Sequence, residues 1–310
     1  MKILITGSSG LVGSAIMSLP ELKTKYTVIP LRQKYCDLKD YKQTETFFQN
    51  NTPDYVIHLA ANVGGLFKNM KYKVEMVEDN LLINMNILKC CHKFNVKKLV
   101  CCLSTCVFPD KISYPIDESV LHNGPPHSSN YGYAYAKRML EIQCKTYNQQ
   151  FGTNFVCVIP TNIYGPNDNF CEKDGHVIPA LINKCYNARK HNQKFIVKGT
   201  GKPLRQFIYS EDLAKLIIWV LESYNDKTPI ILSGDQEVSI KHIAQLIAQN
   251  FNYQDNLDFD NSYSDGQYKK TADNQKLKSL YGTKLKFTDI ETGIEKSVKW
   301  FTKNYNTARK

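Results

Sequence analysis

At 310 residues with 42% hydrophobic content the chain can bury a sizeable core, which excludes a disordered or fibrous protein and suggests one large or two intimate domains. Its net charge of +11 comes from scattered lysines and arginines with no RNA-binding or zinc-finger signature, so a handler of polyphosphorylated small molecules fits and nucleic acid is not expected as a partner. Ten cysteines without a C-x-x-C pair argue against a zinc site or any metal, no apolar stretch reaches membrane-spanning length, and Met1 leads straight into a strand pattern, so reduced thiols in a cytoplasmic protein are expected.

KILIT (Lys2–Thr6) predicts a short buried strand, and Gly7-Ser8-Ser9-Gly10-Leu11-Val12-Gly13 follows it and opens an apolar helix. A G-x-x-G-x-x-G loop in that position is the context of a dinucleotide site: glycines let the backbone approach a pyrophosphate, whose charge meets the helix N-terminus. A ligand-free turn uses the same glycines, but the position favours a cofactor. Tyr26–Leu31 predicts the second strand. After it, Leu31-Arg32-Gln33-Lys34 stands where an NAD site offers an acidic residue to the adenosine ribose. Basic side chains there suit a 2′-phosphate, so NADP(H) is expected over NAD, although a solvated loop carries such charges too. Asp37 and Leu38 follow, as a cap or as contacts to the adenine ring.

A helix over Asp40–Asn50 precedes a third strand, Tyr55–Leu59. HLAANVGG then ends in small residues, leaving Leu59, Ala60 and Ala61 room against a ring or ribose. Asn80 lies within a long helix, Glu75–His92, and Lys98–Ser104 predicts the fourth strand. The helix that begins near Asn130 carries Tyr133 and Lys137, four residues apart and therefore on one face. A free tyrosine has a pKa near ~10, and a lysine one turn away favours the phenolate and lowers it. Ser104, at the end of the preceding strand, can hydrogen-bond the same substrate oxygen. Such a pair alone is most often an aromatic against the core beside a solvated lysine.

FVCVIP (Phe155–Pro160) predicts the next strand. Thr161–Lys202 is irregular with one helix, His176–Lys190. Ser210 is expected to cap an apolar helix with Glu211 and Asp212 in its first turn. Pro229–Leu232 predicts another strand, and the stripes at Ile240, Ile243, Ala244 and Ile247 and at Ile290, Ile294, Val298 and Phe301 predict two more helices. The alternation predicts an α/β fold, a Rossmann-type doubly wound parallel sheet with ligands outside the carboxyl ends of the strands. The expected division is 1–163 with 206–232 as an NADP-binding unit, and 164–205 with 233–310 as a smaller interleaved substrate-binding unit.

TGSSGLVG, HLAA, LSTCVFP, YAYAK, PTNIYGPNDNF, DGHVIPALI, RQFIYSEDLA and SDGQYKKTAD together resemble the extended short-chain dehydrogenase/reductases. Within them the chain resembles the branch that inverts C3 and C5 of GDP-4-keto-6-deoxy-D-mannose and reduces C4. Cys106-Val107 after Ser104-Thr105 is the specific part, since 4,6-dehydratases of the superfamily carry Asp-Glu just after this serine. The resemblance implies a reductase triad of Ser104, Tyr133 and Lys137, with Lys137 also holding the nicotinamide ribose. It implies Cys106 as the epimerisation base and His176 as the acid. Pro160, Asn162 and His176 join the cofactor contacts, and Ser104, Asn162, Lys184, Arg205 and Lys270 fall where the family meets the GDP-sugar. Bacterial members place arginine in the glycine loop and tryptophan before the later Gly-x-Gly, where this chain has Ser9 and Lys198. A homodimer through the helices Glu75–His92 and Asn130–Phe151 is likewise implied. The rival readings are a 4-epimerase or dehydratase that recycles bound NAD, and a non-catalytic NADP-binding regulator.

Overall fold

A computed structural model of the chain describes residues 1–263, 265 and 268–310, so Ser264, Gly266 and Gln267 of SDGQYKKTAD lie outside the described residues. The N-terminal half alternates as read from the sequence: β1 (Lys2–Thr6), α1 (Leu11–Ser18), α2 (Pro20–Lys25), β2 (Thr27–Leu31), α3 (Tyr41–Asn51), β3 (Tyr55–His58), α4 (Leu66–Lys71), α5 (Lys73–Lys93), β4 (Lys98–Cys102), α6 (Tyr131–Phe151) and β5 (Phe155–Pro160); of these, the two short helices α2 and α4 were not expected. Beyond it run β6 (Asn162–Tyr164), α7 (Val177–Lys190), β7 (Phe195–Lys198), β8 (Leu204–Tyr209), α8 (Ser210–Ser223), β9 (Ile230–Leu232), β10 (Glu237–Ser239), α9 (Ile240–Asn250), β11 (Leu257–Asp260), α10 (Gln275–Tyr281) and α11 (Ile290–Lys303).

Six strands form a parallel sheet in the order β2-β1-β3-β4-β5-β9. Successive strand side chains point to opposite faces, and both faces here are apolar. Leu4, Val56, Leu99, Cys101 and Phe155 pack with Phe48 of α3, Ile87 of α5 and Leu140 of α6. Ile3, Ile5, Ile57, Val100 and Val156 pack on the other face with Ile16 of α1 and Leu213 and Ile217 of α8. The strand order reverses at β1, which has β2 on one side and β3 on the other. The crevice beyond the carboxyl ends opens there.

A second sheet, β10-β8-β6, and a parallel pair, β11-β7, cover a third apolar cluster that contains Tyr164, Phe170, Phe195, Ile247, Ile294 and Phe301. Strand β8 is the seam. Phe207 and Tyr209 enter this third cluster, while Ile208 between them enters the central sheet's cluster. Ser210 is not the cap of α8 but its first helical residue. No loop separates β8 from the helix, so Tyr209, the last strand residue, takes the cap position with extended backbone at φ −70° and ψ 139°. Asp212 in the first turn instead accepts hydrogen bonds from the Thr288 amide at 2.7 Å and its hydroxyl at 3.1 Å, pinning the approach to α11.

Candidate active site

The crevice begins with the glycine loop. Gly7 sits at φ +67°, and a Cβ on it would come within 3.0 Å of the Ala60 amide nitrogen. A Cβ on Gly13 would lie 2.3 Å from the Gly7 carbonyl oxygen, backbone that cannot swing aside. The loop therefore presents bare backbone at the start of α1, where Gly10 occupies the cap position without a side-chain cap. Ser8 is buried, and its amide and hydroxyl both donate to the Leu31 carbonyl, at 3.3 and 3.1 Å. It fixes the loop to the end of β2, beside exposed Arg32 and Ser9's open position. Asp37 does not cap α3, whose N-cap is Asp40; it accepts from the Lys39 amide at 3.0 Å in the preceding turn, while Leu38 is buried.

A buried polar chain supports the next stretch. The Leu59 and Ala60 amides donate to the Thr6 hydroxyl oxygen at 3.1 Å each, and that hydroxyl lies 2.9 Å from His58 Nδ1. His58 Nε2 lies 3.1 Å from Asn84 Oδ1 on α5. Asn84 Oδ1 can only accept, so the imidazole proton is on Nε2 and Nδ1 takes the Thr6 proton. Burial, and secondarily the charge of Lys137, push the pKa of His58 down to about 3 and keep the ring neutral. Asn80 is fully buried. Its amide carries Asn62 on both sides, accepting from the Asn62 N–H at 2.9 Å and donating to its carbonyl at 3.0 Å. Its side chain holds the loop after β3 and is spent there.

Ser104 caps the short turn Thr105–Val107 and accepts from the Cys106 amide at 3.4 Å. From α6, Lys137 is 2% exposed and donates to the Cys102 carbonyl at 2.8 Å, with its nitrogen 5.8 Å from the centre of the Tyr133 ring. The ammonium therefore lies over the ring and is tied to the β4 end. The lowered tyrosine expected from the spacing does not result: burial raises the Tyr133 phenol well above its ordinary value, and burial lowers Lys137. Tyr133 keeps its proton, which is the form that can donate one.

Cys106, half-buried, faces Lys270. Burial raises its thiol, opposed first by the Lys270 charge, then by a hydrogen bond with Ser104 and by Lys137. Burial in turn lowers Lys270, with Arg205 adding to the lowering and Cys106 opposing it. Arg205 donates to the Leu204 carbonyl at 2.7 Å and is itself lowered by burial. Lys184 stands apart, lowered by burial with Lys198 adding to it and Glu172 opposing; the Lys198 nitrogen sits 4.5 Å from the Tyr263 ring centre. His176 is the residue before α7, in extended backbone at φ −73° and ψ 168°, rather than its first helical residue. Its ring is accessible from the crevice mouth yet walled by protein, which lowers its pKa. A hydrogen bond from the Gly65 amide to the Asp174 carbonyl at 2.8 Å carries this mouth over the loop after β3.

One cavity of about 260 Å³ gathers most of the predicted residues: Gly7, Gly10 to Gly13, Leu59, Ala61, Ser104, Tyr133, Lys137, Pro160, Asn162 and His176. Cys106, Lys270 and Arg205 do not line it, although Cys106 follows closely on Ser104 in the chain. Ser8, Ser9, Arg32, Asp37, Leu38, Ala60, Asn80 and Lys184 do not line it either. Thr161, Ile163, Asp168, Asn169 and Arg309 also line it, and none was singled out from the sequence. Asp168 sits inside the quoted GPNDNF, where a lone carboxylate among small polar residues was a readable signal. Arg309 arrives by folding alone, through Phe170 N–H donating to the Arg309 carbonyl at 2.7 Å. The bare cradle at a helix N-terminus, with a tyrosine and lysine at its far end, fits a nicotinamide dinucleotide.

The description "NAD dependent epimerase/dehydratase family" matches residues 3–233. The chain belongs to that family. It is 54% identical over 99% of its length to a GDP-L-fucose synthase of Dictyostelium discoideum, covering 97% of that protein. It is 47% identical over its whole length to a probable GDP-L-fucose synthase of Drosophila melanogaster, covering 99% of it. Among solved structures, a GDP-L-fucose synthetase from Naegleria fowleri bound to NADP superposes with a TM-score of 0.94 at 48% identity, over 99% of this chain and 94% of that one.

Proposed function

We infer that this protein is an NADPH-dependent enzyme that makes GDP-L-fucose, inverting C3 and C5 of GDP-4-keto-6-deoxy-D-mannose and reducing C4. The observation that carries the reading is one cavity that brings Ser104, Tyr133 and Lys137 together with the glycine cradle, with Cys106 following closely on Ser104 in the chain. The glycine loop, Tyr133 and Lys137 would hold NADPH, which supplies the hydride when bound. Tyr133 passes its phenolic proton to the C4 oxygen, and Ser104 donates a hydrogen bond to that oxygen. Once the oxygen draws on that proton, the nearby Lys137 ammonium stabilises the phenolate left behind.

Inversion comes first. The 4-keto group acidifies the C3 and C5 protons, and Cys106 removes them as a thiolate, which Lys270 supports against the raising effect of burial. His176, which lines the cavity, returns a proton to the other face. Each such acid–base step lowers a barrier by about 3–5 kcal/mol, from rate factors of about 10²–10⁴. Arg205, Lys270 and Lys184 offset the diphosphate, and Arg32 meets the 2′-phosphate of NADPH.

Residues 1–163 with α8 and β9 form the cofactor unit, and the rest the sugar unit, with β8 between them. A second copy packs on α5 and α6, whose outward Leu82, Met139 and Ile142 are 45%, 42% and 39% exposed; a monomeric mass by light scattering at micromolar concentration rejects that dimer. All ten thiols are free, in keeping with a reducing cytoplasm, and no helix among the described residues is long and apolar enough to cross a membrane. The deciding experiment incubates the protein with GDP-4-keto-6-deoxy-D-mannose and NADPH. Stoichiometric NADPH consumption with GDP-L-fucose as product is expected. Turnover without NADPH consumption would assign a 4-epimerase or dehydratase instead.

A further inference from the structure

Asp168 is a buried acid that none of the steps above uses. It is 4% exposed and stands in the wall of the cavity that holds Tyr133, Asn162 and His176. Its Oδ1 accepts from the Asn169 amide at 2.7 Å, while its buried Oδ2 has no hydrogen-bond partner among the described residues. The segment bearing it is held from both sides. Arg309 Nη2 donates to the Asn167 carbonyl at 2.6 Å, and Asn183 donates to the Phe170 carbonyl at 3.0 Å. Asn167, just before it, is fixed in the left-handed region at φ +65°. A carboxyl oxygen left unpaired inside a protein costs free energy unless something supplies a donor, and the surrounding loop does not let this one turn away.

The cavity runs from the glycine loop to Pro160, Ile163 and Asp168, while Cys106, Arg205 and Lys270 on the sugar side do not line it. At the nicotinamide end of such a trough the ring's primary carboxamide is an N–H donor, the ribose hydroxyls being within the reach of Tyr133 and Lys137. We propose that Asp168 is a positioning residue for the cofactor, its free carboxyl oxygen accepting a hydrogen bond from the nicotinamide carboxamide and so fixing the rotation of the ring. This rests on reading the trough as the NADPH site. Burial raises the pKa of Asp168 to about 7, opposed by the Asn169 amide and by Arg309, and both the acid and the carboxylate retain an oxygen that can accept.

The test measures dissociation constants, not turnover, for NADPH and for its 3-acetylpyridine analogue, in which a methyl group replaces the amide nitrogen. The unaltered protein is expected to bind the analogue about tenfold more weakly or worse, the range for losing a hydrogen bond to a charged partner. In Asp168→Asn the side chain keeps an oxygen for the Asn169 amide but turns a donor to the trough, so the two cofactors should bind within about twofold of each other. The same analogue-to-NADPH ratio in both proteins overturns the proposal and leaves Asp168 a loop anchor. Should Asp168→Asn melt at lower temperature than the parent by more than a few degrees, Asp168→Ser, too short to reach the ring, is read in the same way. Failure of the unaltered protein to bind NADPH at all overturns the cofactor reading and this proposal together, whereas tight NADPH binding with an unchanged ratio overturns this proposal alone.

Discussion

The cofactor crevice and the region proposed for the sugar are made of different materials. The cofactor wall is backbone: glycines packed against carbonyls, and amides that donate to Thr6 and Asn80, with His58 and Asn84 hydrogen-bonded behind Thr6. The proposed sugar wall, outside that cavity, is side-chain charge: Lys184, Arg205 and Lys270 come from separated segments and each is pushed down from its ordinary pKa by burial. A wall of backbone fails when a carbon atom is added to it. A wall of desolvated cations fails when a charge is removed. Ser104, Tyr133 and Cys106 sit where the two meet, so variants there should show the largest effects and divide the chemistry itself.

Tyr133→Phe tests the seam first. It removes the proton donor without removing the ring that packs in the wall, so reduction should fall by about 10²–10⁴-fold. NADPH should still bind within a few-fold of the parent, measured by fluorescence titration. Near-normal turnover would show that another group protonates the C4 oxygen. Cys106→Ser is expected to suppress deuterium uptake from D₂O at C3 and C5 by about 10²-fold or more when NADPH is left out, because a hydroxyl is a far weaker base than a thiolate. Undiminished exchange followed by NMR would reduce Cys106 to a packing residue.

Gly13→Ala attacks the backbone wall alone. Its methyl would stand 2.3 Å from the Gly7 carbonyl oxygen and 2.7 Å from Ser8 Cα, so the loop must shift. Overpacking of this kind costs about 1–3 kcal/mol, equivalent to about 5–150-fold in NADPH affinity if the cradle absorbs it. Gly152→Ala is the control for added volume, since a methyl there meets nothing within 4 Å although its φ of +68° adds strain. Equal NADPH affinity in Gly13→Ala and the parent would mean that the loop is softer than its contacts imply. Arg205→Ala reverses the pattern. It should raise the KM for the GDP-sugar about tenfold while leaving the dissociation constant of NADPH unchanged. A rise in both constants would erase the distinction between the walls.

The cofactor wall was legible in the sequence because it is local. A strand, seven loop residues and a helix define the cradle, and the i, i+4 spacing of Tyr133 and Lys137 puts them on one face whatever the rest of the chain does. The element ends came within a few residues for the same reason. The sugar wall was legible only through resemblance, and its geometry was not. The pKa of Tyr133 could not be read from spacing, because burial outweighs a lysine that the fold binds to Cys102. Strands β6, β8 and β10 were missed because they are three to six residues long and pair across the chain. Their registers are fixed by tertiary packing rather than by a pattern of their own. Asn80, expected as a cofactor contact, spends its side-chain amide on the backbone of Asn62, a pairing that no sequence pattern displays.

The smallest effect probes the support beneath the cofactor wall. His58 is fully buried and neutral, with a folded pKa near 3 against about 6.5 when unfolded. Between those values the unfolded chain binds a proton that the folded one does not. The stability this group contributes is therefore present above pH 6.5 and is lost as the pH falls towards 3, by at most about 1.4 kcal/mol per pH unit. His58→Gln removes the titrating ring and one or both of its bonds to Thr6 and Asn84. At pH 7 the variant should be less stable by about 1–2 kcal/mol, the range for losing buried hydrogen bonds. Its stability should then fall less steeply than the parent's on acidification, so that urea midpoints of the two proteins converge between pH 7 and pH 5. Parallel curves over that window would mean that His58 already titrates in the folded state near its ordinary value, and that the Thr6–His58–Asn84 chain is open to water.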